Sequence, residues 1–167
     1  SMPRSDGAVS VSSMDSDIIR ALTWLYTNRS ALRLAAVNLS LGSTPGAPSC
    51  GADIGGVEIR RLSDAGIPVV VAAGNESNQN LVSWPACISG AVAVAASEPV
   101  DYNATGWGPL QVSSFSNGGS GVDIAAPGQY IVSTSPGNQW GYWAGTSAAA
   151  PHVAGAAALW KTYFPNE

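Results

Sequence analysis

The residues of this chain best placed to do chemistry lie in Gly145-Thr146-Ser147-Ala148-Ala149-Ala150-Pro151-His152-Val153-Ala154-Gly155. Gly145 permits a close backbone turn. Thr146 is a good N-cap type. Ser147 then sits at a helix N-terminus, where free N–H groups favour negative charge. Small residues surround it: Ala148, Ala149, Ala150, Ala154 and Gly155. A serine on a tight turn, opening a helix with no bulk around it, is placed to attack a carbonyl. A capped, Ala-rich core helix shares the same local pattern, so the rest of the chain must decide between them.

A second polar group stands at a strand end. Ile67-Pro68-Val69-Val70-Val71-Ala72-Ala73-Gly74 is short, continuous and β-branched, and Asn75 follows it directly. Such a run predicts a parallel strand buried on both faces. Ligands gather beyond the carboxyl ends of parallel strands. His152 is the only histidine. It lies five residues after Ser147 on the same helix, so it is rotated by about 140° and cannot serve the serine as a base.

The elements that must position these groups alternate. Asp15 or Ser16 caps a helix with an apolar face of Ile18, Ile19, Leu22, Leu25 and Tyr26, running to about Asn28. Residues 34–42 predict a strand buried on both faces, followed by a Gly, Ser and Pro loop over 42–52. Ile54, Val57, Leu62 and Ala65 mark a second helix, closed by Gly66 with Pro68 beyond. Residues 91–96 read as another buried strand. Residues 122–128 and 130–134 read as short strands around a Pro-Gly turn, and 8–11 as a strand stub. The last helix runs from Ser147 to Tyr163 and stops before Pro165. This alternation predicts one α/β domain over 1–167, a mostly parallel sheet with helices on both faces.

Composition narrows the function. The chain is 46% hydrophobic and 11% charged, which marks it as globular. A net charge of -4 argues against nucleic acid or an anionic membrane as partner. No apolar run is long enough to span a bilayer, and the start carries no signal-peptide pattern. Cys50 and Cys87 are isolated, so no cysteine metal site is expected; they are buried thiols or a bridge.

Taken together, these blocks resemble the subtilisin-like serine proteases. Residues 145–155 are similar to the family's nucleophile block, and Val69–Glu76 to the block that supplies an oxyanion-hole amide. The resemblance implies Ser147 as nucleophile, with its own N–H and the Asn75 side-chain N–H binding the oxyanion. Ala36–Gly42 resembles the strand whose end, here Ser40, Leu41 and Gly42, walls the primary specificity pocket and pairs with an extended polypeptide substrate. Ala72, Ala73 and Gly74 resemble the opposite wall. Ser83 and Trp84 would form the floor, and Trp143 would cover the leaving-group side. Small walls leave room for a large apolar side chain. Phe115–Gly119 and Asp123–Gly128 match further family segments. Asp123 reads first as a turn cap, with a weakly bound calcium or sodium as the family's alternative; no other cofactor is expected. The resemblance also implies a cis Trp84–Pro85 bond, a packing role for His152, and a Cys50–Cys87 disulfide with a secreted or extracytoplasmic home.

One part of the family pattern is missing. The family's Asp-Thr-Gly-like and His-Gly-Thr-His-like motifs belong well upstream of Ala36, and the residues before Ala36 include no histidine. The resemblance therefore implies the C-terminal part of a catalytic domain, truncated on its N-terminal side and inactive alone. A natural half that complements another polypeptide, a pseudoprotease that binds peptides without chemistry, and an unrelated α/β binding domain are the alternatives. In the family the strand bearing the Asp lies beside the strand matching residues 36–41. That edge is expected to recruit the missing N-terminal portion, a second copy, or residues 1–13.

Overall fold

The computed structural model describes residues 2–3, 9–10, 15–43, 50, 54–99 and 110–164. The element order is β1 (Met2–Pro3), β2 (Val9–Ser10), α1 (Asp15–Leu32), β3 (Val37–Leu39), α2 (Ile54–Asp64), β4 (Val69–Ala72), β5 (Ala91–Pro99), β6 (Leu110–Val112), β7 (Ile124–Pro127), β8 (Ile131–Ser135), β9 (Gln139–Trp143) and α3 (Thr146–Tyr163). Most of the loop expected over 42–52 lies outside the described residues.

The main sheet runs β3-β4-β5-β6, with β7 also on β5. The pairings β3·β4, β4·β5 and β5·β7 are parallel; β5·β6 is antiparallel. Val94 pairs with Ala72 on one side and Ile124 on the other, so β4 and β7 flank β5. The fold is α/β, with helices on both faces. The reason is visible in β4. Val69 and Val71 point into a core with Ile18 and Leu22 of α1 and Ile59 and Leu62 of α2. Val70 and Ala72 point the other way, onto Ala149 and Ala150 of α3. A strand in the middle must be apolar at every position, and β4 is buried throughout.

Several expectations need correction. β3 is not buried on both faces: Val37 is buried, Asn38 is exposed and Leu39 half-buried. It ends the sheet, with β4 as its partner, and β1 and β2 pair with each other rather than against it. The short strands expected on either side of the Pro-Gly turn both form, but they belong to different sheets. β7 joins the main sheet, and β8 pairs antiparallel with β9 in a separate ribbon. α1 runs on to Leu32, beyond the expected end at Asn28, and Thr23, Thr27 and Asn28 donate their side-chain hydrogens to carbonyls of the preceding turn. α2 closes as expected: the Gly66 N–H donates to Ser63 O and the Ile67 N–H to Leu62 O. Trp84–Pro85 is cis, and Cys50 and Cys87 form a disulfide with Cα atoms 5.5 Å apart.

Two of the apolar positions of α2 now separate. Leu62 is 0% exposed, whereas Val57 is 47% exposed. Leu62→Ala is expected to cost about 2–5 kcal/mol, and Val57→Ala less than about 0.5 kcal/mol. Urea unfolding of the two variants measures the difference; equal costs would show that α2 packs by another face.

Candidate active site

The carboxyl ends of β3 and β4 meet the start of α3 around a cleft of about 440 Å³. Ser40, Leu41 and Gly42 line it from the end of β3. Ala72, Gly74, Asn75 and Glu76 line it from the end of β4, with Ser83 and Trp84, and Thr146 and Ser147 close it from α3. One expected wall residue is elsewhere. Ala73 is fully buried and faces the α1–α2 core, because the pleat turns it away from Ala72. Trp143 borders a second cavity of about 480 Å³ with Val132, Pro151 and His152. Ser147 is exposed and lies on the rim of both cavities.

The start of α3 departs from the sequence expectation. Its N-cap is Gly145, at φ 139, and no side chain caps it. This φ lies where an L-residue is strained, so glycine is required here. Thr146 is the first helical residue, fully buried, and its polar groups go to Asn75. The Thr146 N–H donates to Asn75 Oδ1 at 2.8 Å, and the Thr146 hydroxyl donates to the same oxygen at 3.1 Å. Thr146 Oγ1 in turn accepts the Gly74 N–H at 3.1 Å. Both lone pairs of the Asn75 amide oxygen are thereby occupied by α3. The amide nitrogen is left to face the cleft.

Ser147 is in the first turn, so its N–H has no acceptor within the helix. The point that a Cβ on Gly145 would occupy lies 3.6 Å from Asn75 Nδ2 and 3.7 Å from Ser147 N. The Asn75 amide and the Ser147 N–H thus both lie at the Gly145 turn, although the two residues are far apart in sequence. Two N–H donors brought together can hold negative charge on a carbonyl oxygen under attack.

The floor of the cleft is a polar network that the sequence did not announce. Asn117 is fully buried. Its Nδ2 donates to Glu76 Oε2 at 2.7 Å, to Ser83 Oγ at 3.2 Å and to Ala73 O at 3.2 Å. Its Oδ1 accepts the N–H groups of Glu76 at 3.1 Å and Asn78 at 2.9 Å. The Ser83 hydroxyl donates to Glu76 Oε2 at 3.1 Å. A Cβ on Gly74 would stand 2.2 Å from Ser83 Oγ and 2.3 Å from Asn117 Nδ2, so no side chain fits there. Local pattern carries no signal for Asn117, because its partners come from another part of the chain; only the family match of Phe115–Gly119 pointed to it.

Asp123 is an exposed residue that extends the β5·β7 pairing. Its Oδ2 accepts the Ala93 N–H at 2.8 Å and its own N–H donates to Ala93 O at 3.0 Å. Among the described residues no group of three His, Cys, Asp or Glu side chains could hold a metal. His152 is exposed, not packed, and its Nδ1–H donates to Ala148 O at 2.8 Å. That bond stays on its own helix and does not involve Ser147.

The chain is similar to known proteins along nearly all of its length. Residues 5–167 match the model of the subtilase family. The chain is 39% identical to a thermostable alkaline protease of Halalkalibacterium halodurans, over 89% of this chain and 36% of that protein. It is 36% identical to an extracellular serine proteinase of a Thermus species, over 93% of this chain and 34% of that protein. A cold-adapted subtilisin-like serine proteinase superposes with a TM-score of 0.74 at 31% identity, covering 92% of this chain and 50% of the other. The chain thus spans about a third of these curated relatives and half of the solved structure.

Proposed function

This chain belongs to the subtilase family, and from that premise we propose that it carries the nucleophile, oxyanion hole and primary specificity cleft of a serine endopeptidase. One observation supports the reading above the others: Asn75 and Ser147 both line the cleft and meet at the Gly145 turn, where Asn75 Oδ1 accepts the N–H of Thr146. In this reading Ser147 Oγ attacks the scissile carbonyl of an extended polypeptide. The carbonyl oxygen becomes an oxyanion held by the two N–H donors, and the amine leaves toward Trp143 and the second cavity. The residue before the scissile bond enters between Ser40–Gly42 on one side and Ala72 and Gly74 on the other. A large apolar side chain fits against Trp84, with the Glu76 carboxylate at the polar end of the cleft. The disulfide, and the extracellular designation of the Thermus relative, support a secreted setting.

A neutral serine hydroxyl is a poor nucleophile without a base. The single histidine is committed to its own helix and rotated away from Ser147. We therefore propose that this chain alone is catalytically incomplete. The base and the acid that orients it come from other polypeptide, which pairs along the outer edge of β3.

A fluorophosphonate probe tests this. The chain alone is expected to label at background level. Mixed with, or fused behind, the upstream portion of the Halalkalibacterium halodurans protease, it should label at Ser147 and nowhere else. Labelling at another residue, or none in the completed form while the parent protease labels, would overturn the proposal.

A further inference from the structure

The hydrogen bonding of α3 contains an irregularity at the residue that matters most. In an α-helix the carbonyl of residue i accepts the N–H of residue i+4. Four residues after Ser147 stands Pro151, inside the helix. Proline has no N–H, and its ring crowds the carbonyl of residue i−4. The carbonyl that loses its partner and is pushed outward is that of Ser147. Ser147 is exposed, so its carbonyl is open to water or to another protein donor in place of the missing N–H.

The replacement comes from the substrate side of the cleft. The Ser40 hydroxyl donates to Ser147 O at 2.7 Å. A serine hydroxyl has one hydrogen and can point it in several directions. Here the choice is settled by Asn38, whose Nδ2 donates to Ser40 Oγ at 3.0 Å and takes up acceptor capacity on that oxygen. The Ser40 hydrogen is left for the Ser147 carbonyl. Asn38 is in β3 and Ser40 follows its last residue, on the wall of the cleft. The strand that would hold the substrate is therefore tied directly to residue 147, separately from the bonds that fix Thr146 through Asn75.

We propose that Ser40 is a positioning residue for the nucleophile: its hydroxyl supplies the hydrogen bond that Pro151 cannot, and so sets the first turn of α3 against the substrate strand. The proposal rests on the protease reading of Ser147. Without the bond, the Ser147 carbonyl is released, the first turn is free to shift, and Oγ leaves the geometry of attack. Misplacement of a reacting group by about 1 Å costs on the order of 100-fold in rate.

The experiment uses the completed form described above, and probe labelling at saturating and sub-saturating concentrations separates rate from affinity. Ser40→Ala is expected to lower the maximal labelling rate by about 10- to 100-fold with little change in half-saturation. Ser40→Thr keeps the hydroxyl and should label within about threefold of the parent rate. Pro151→Ala returns an N–H to the helix position facing Ser147 O, so Ser40→Ala combined with Pro151→Ala should recover most of the lost rate. A residue that merely contacted substrate would not be rescued from position 151. In the chain alone, the carbonyl carbon resonance of Ser147 should move in Ser40→Ala and return in the double variant. A completed parent that labels alongside a Ser40→Ala form that labels as fast would overturn this proposal and leave the protease reading intact. Failure of the double variant to recover, with its Ser147 carbonyl resonance restored, would also overturn it. A completed parent that never labels overturns the protease reading, and this proposal with it.

Discussion

Ser147→Ala in the completed form is expected to reduce peptide hydrolysis by about a million-fold, a figure that comes from loss of the nucleophile in a subtilisin. No acyl-enzyme can form once Oγ is gone, and what remains is the contribution of the oxyanion donors and of binding. The stability of the protein should not follow. Ser147 is exposed, and neighbouring Thr146 and Asn75 carry the polar contacts that hold the turn. Hydrolysis of a chromogenic peptide, read beside a thermal melt, separates the two effects. His152→Ala is the internal control. Its ring bonds to Ala148 O on its own helix, so its removal should leave turnover within about twofold, a surface change with little energetic weight. A loss of less than tenfold in Ser147→Ala, or a large loss in His152→Ala, would mean that the chemistry had been assigned to the wrong side chain.

Asn75 does two jobs, and its variants should part them. Asn75→Asp keeps an oxygen to accept the Thr146 N–H and hydroxyl, yet it removes the amide donor and sets a carboxylate beside the developing oxyanion. Turnover should fall at least 100- to 1000-fold, the range found when a subtilisin loses its side-chain donor. The Michaelis constant should change little, because the donor acts on charge that develops only in the transition state. Asn75→Ala removes the acceptor as well. It leaves the N–H of fully buried Thr146 without a partner, at a cost to stability of about 1–3 kcal/mol. The aspartate variant should therefore melt close to the parent, and the alanine variant lower. Equal turnover in the parent and both variants would remove Asn75 from the oxyanion hole.

The incomplete character proposed for the chain has a structural counterpart in β3. It ends the main sheet, is only partly buried, and presents one row of backbone groups with no partner strand among the described residues. The same β3 supplies Asn38 and leads into Ser40. A polypeptide that pairs along this edge would thus settle the strand to which the nucleophile is tied.

Much of this protein is legible in the sequence because its signals are local. The β-branched runs that became β4 and β5, the apolar period of α1, the glycine that closes α2 and the small-residue block that opens α3 all follow from residues within a few positions of one another. Asn75 at a strand end and Ser147 at a helix start were legible for the same reason: one follows a buried parallel strand, the other a glycine turn. Tertiary structure decided the rest. β8 was expected, but β9, with Trp140 and Tyr142 exposed, gives no strand-like burial pattern, and only its pairing with β8 defines it. The N-cap is Gly145 rather than Thr146, and the threonine hydroxyl donates to Asn75 Oδ1 instead of capping the helix. Ala73 left the cleft because a pleat sends successive side chains to opposite faces. Asn117 and the Ser40–Ser147 bond join segments far apart in the chain, and no local pattern encodes a hydrogen bond of that reach. Local pattern singled out Ser147 at a helix start and Asn75 at a strand end. Only the fold sets them on one cleft, because the sheet brings the ends of β3 and β4 to the first turn of α3.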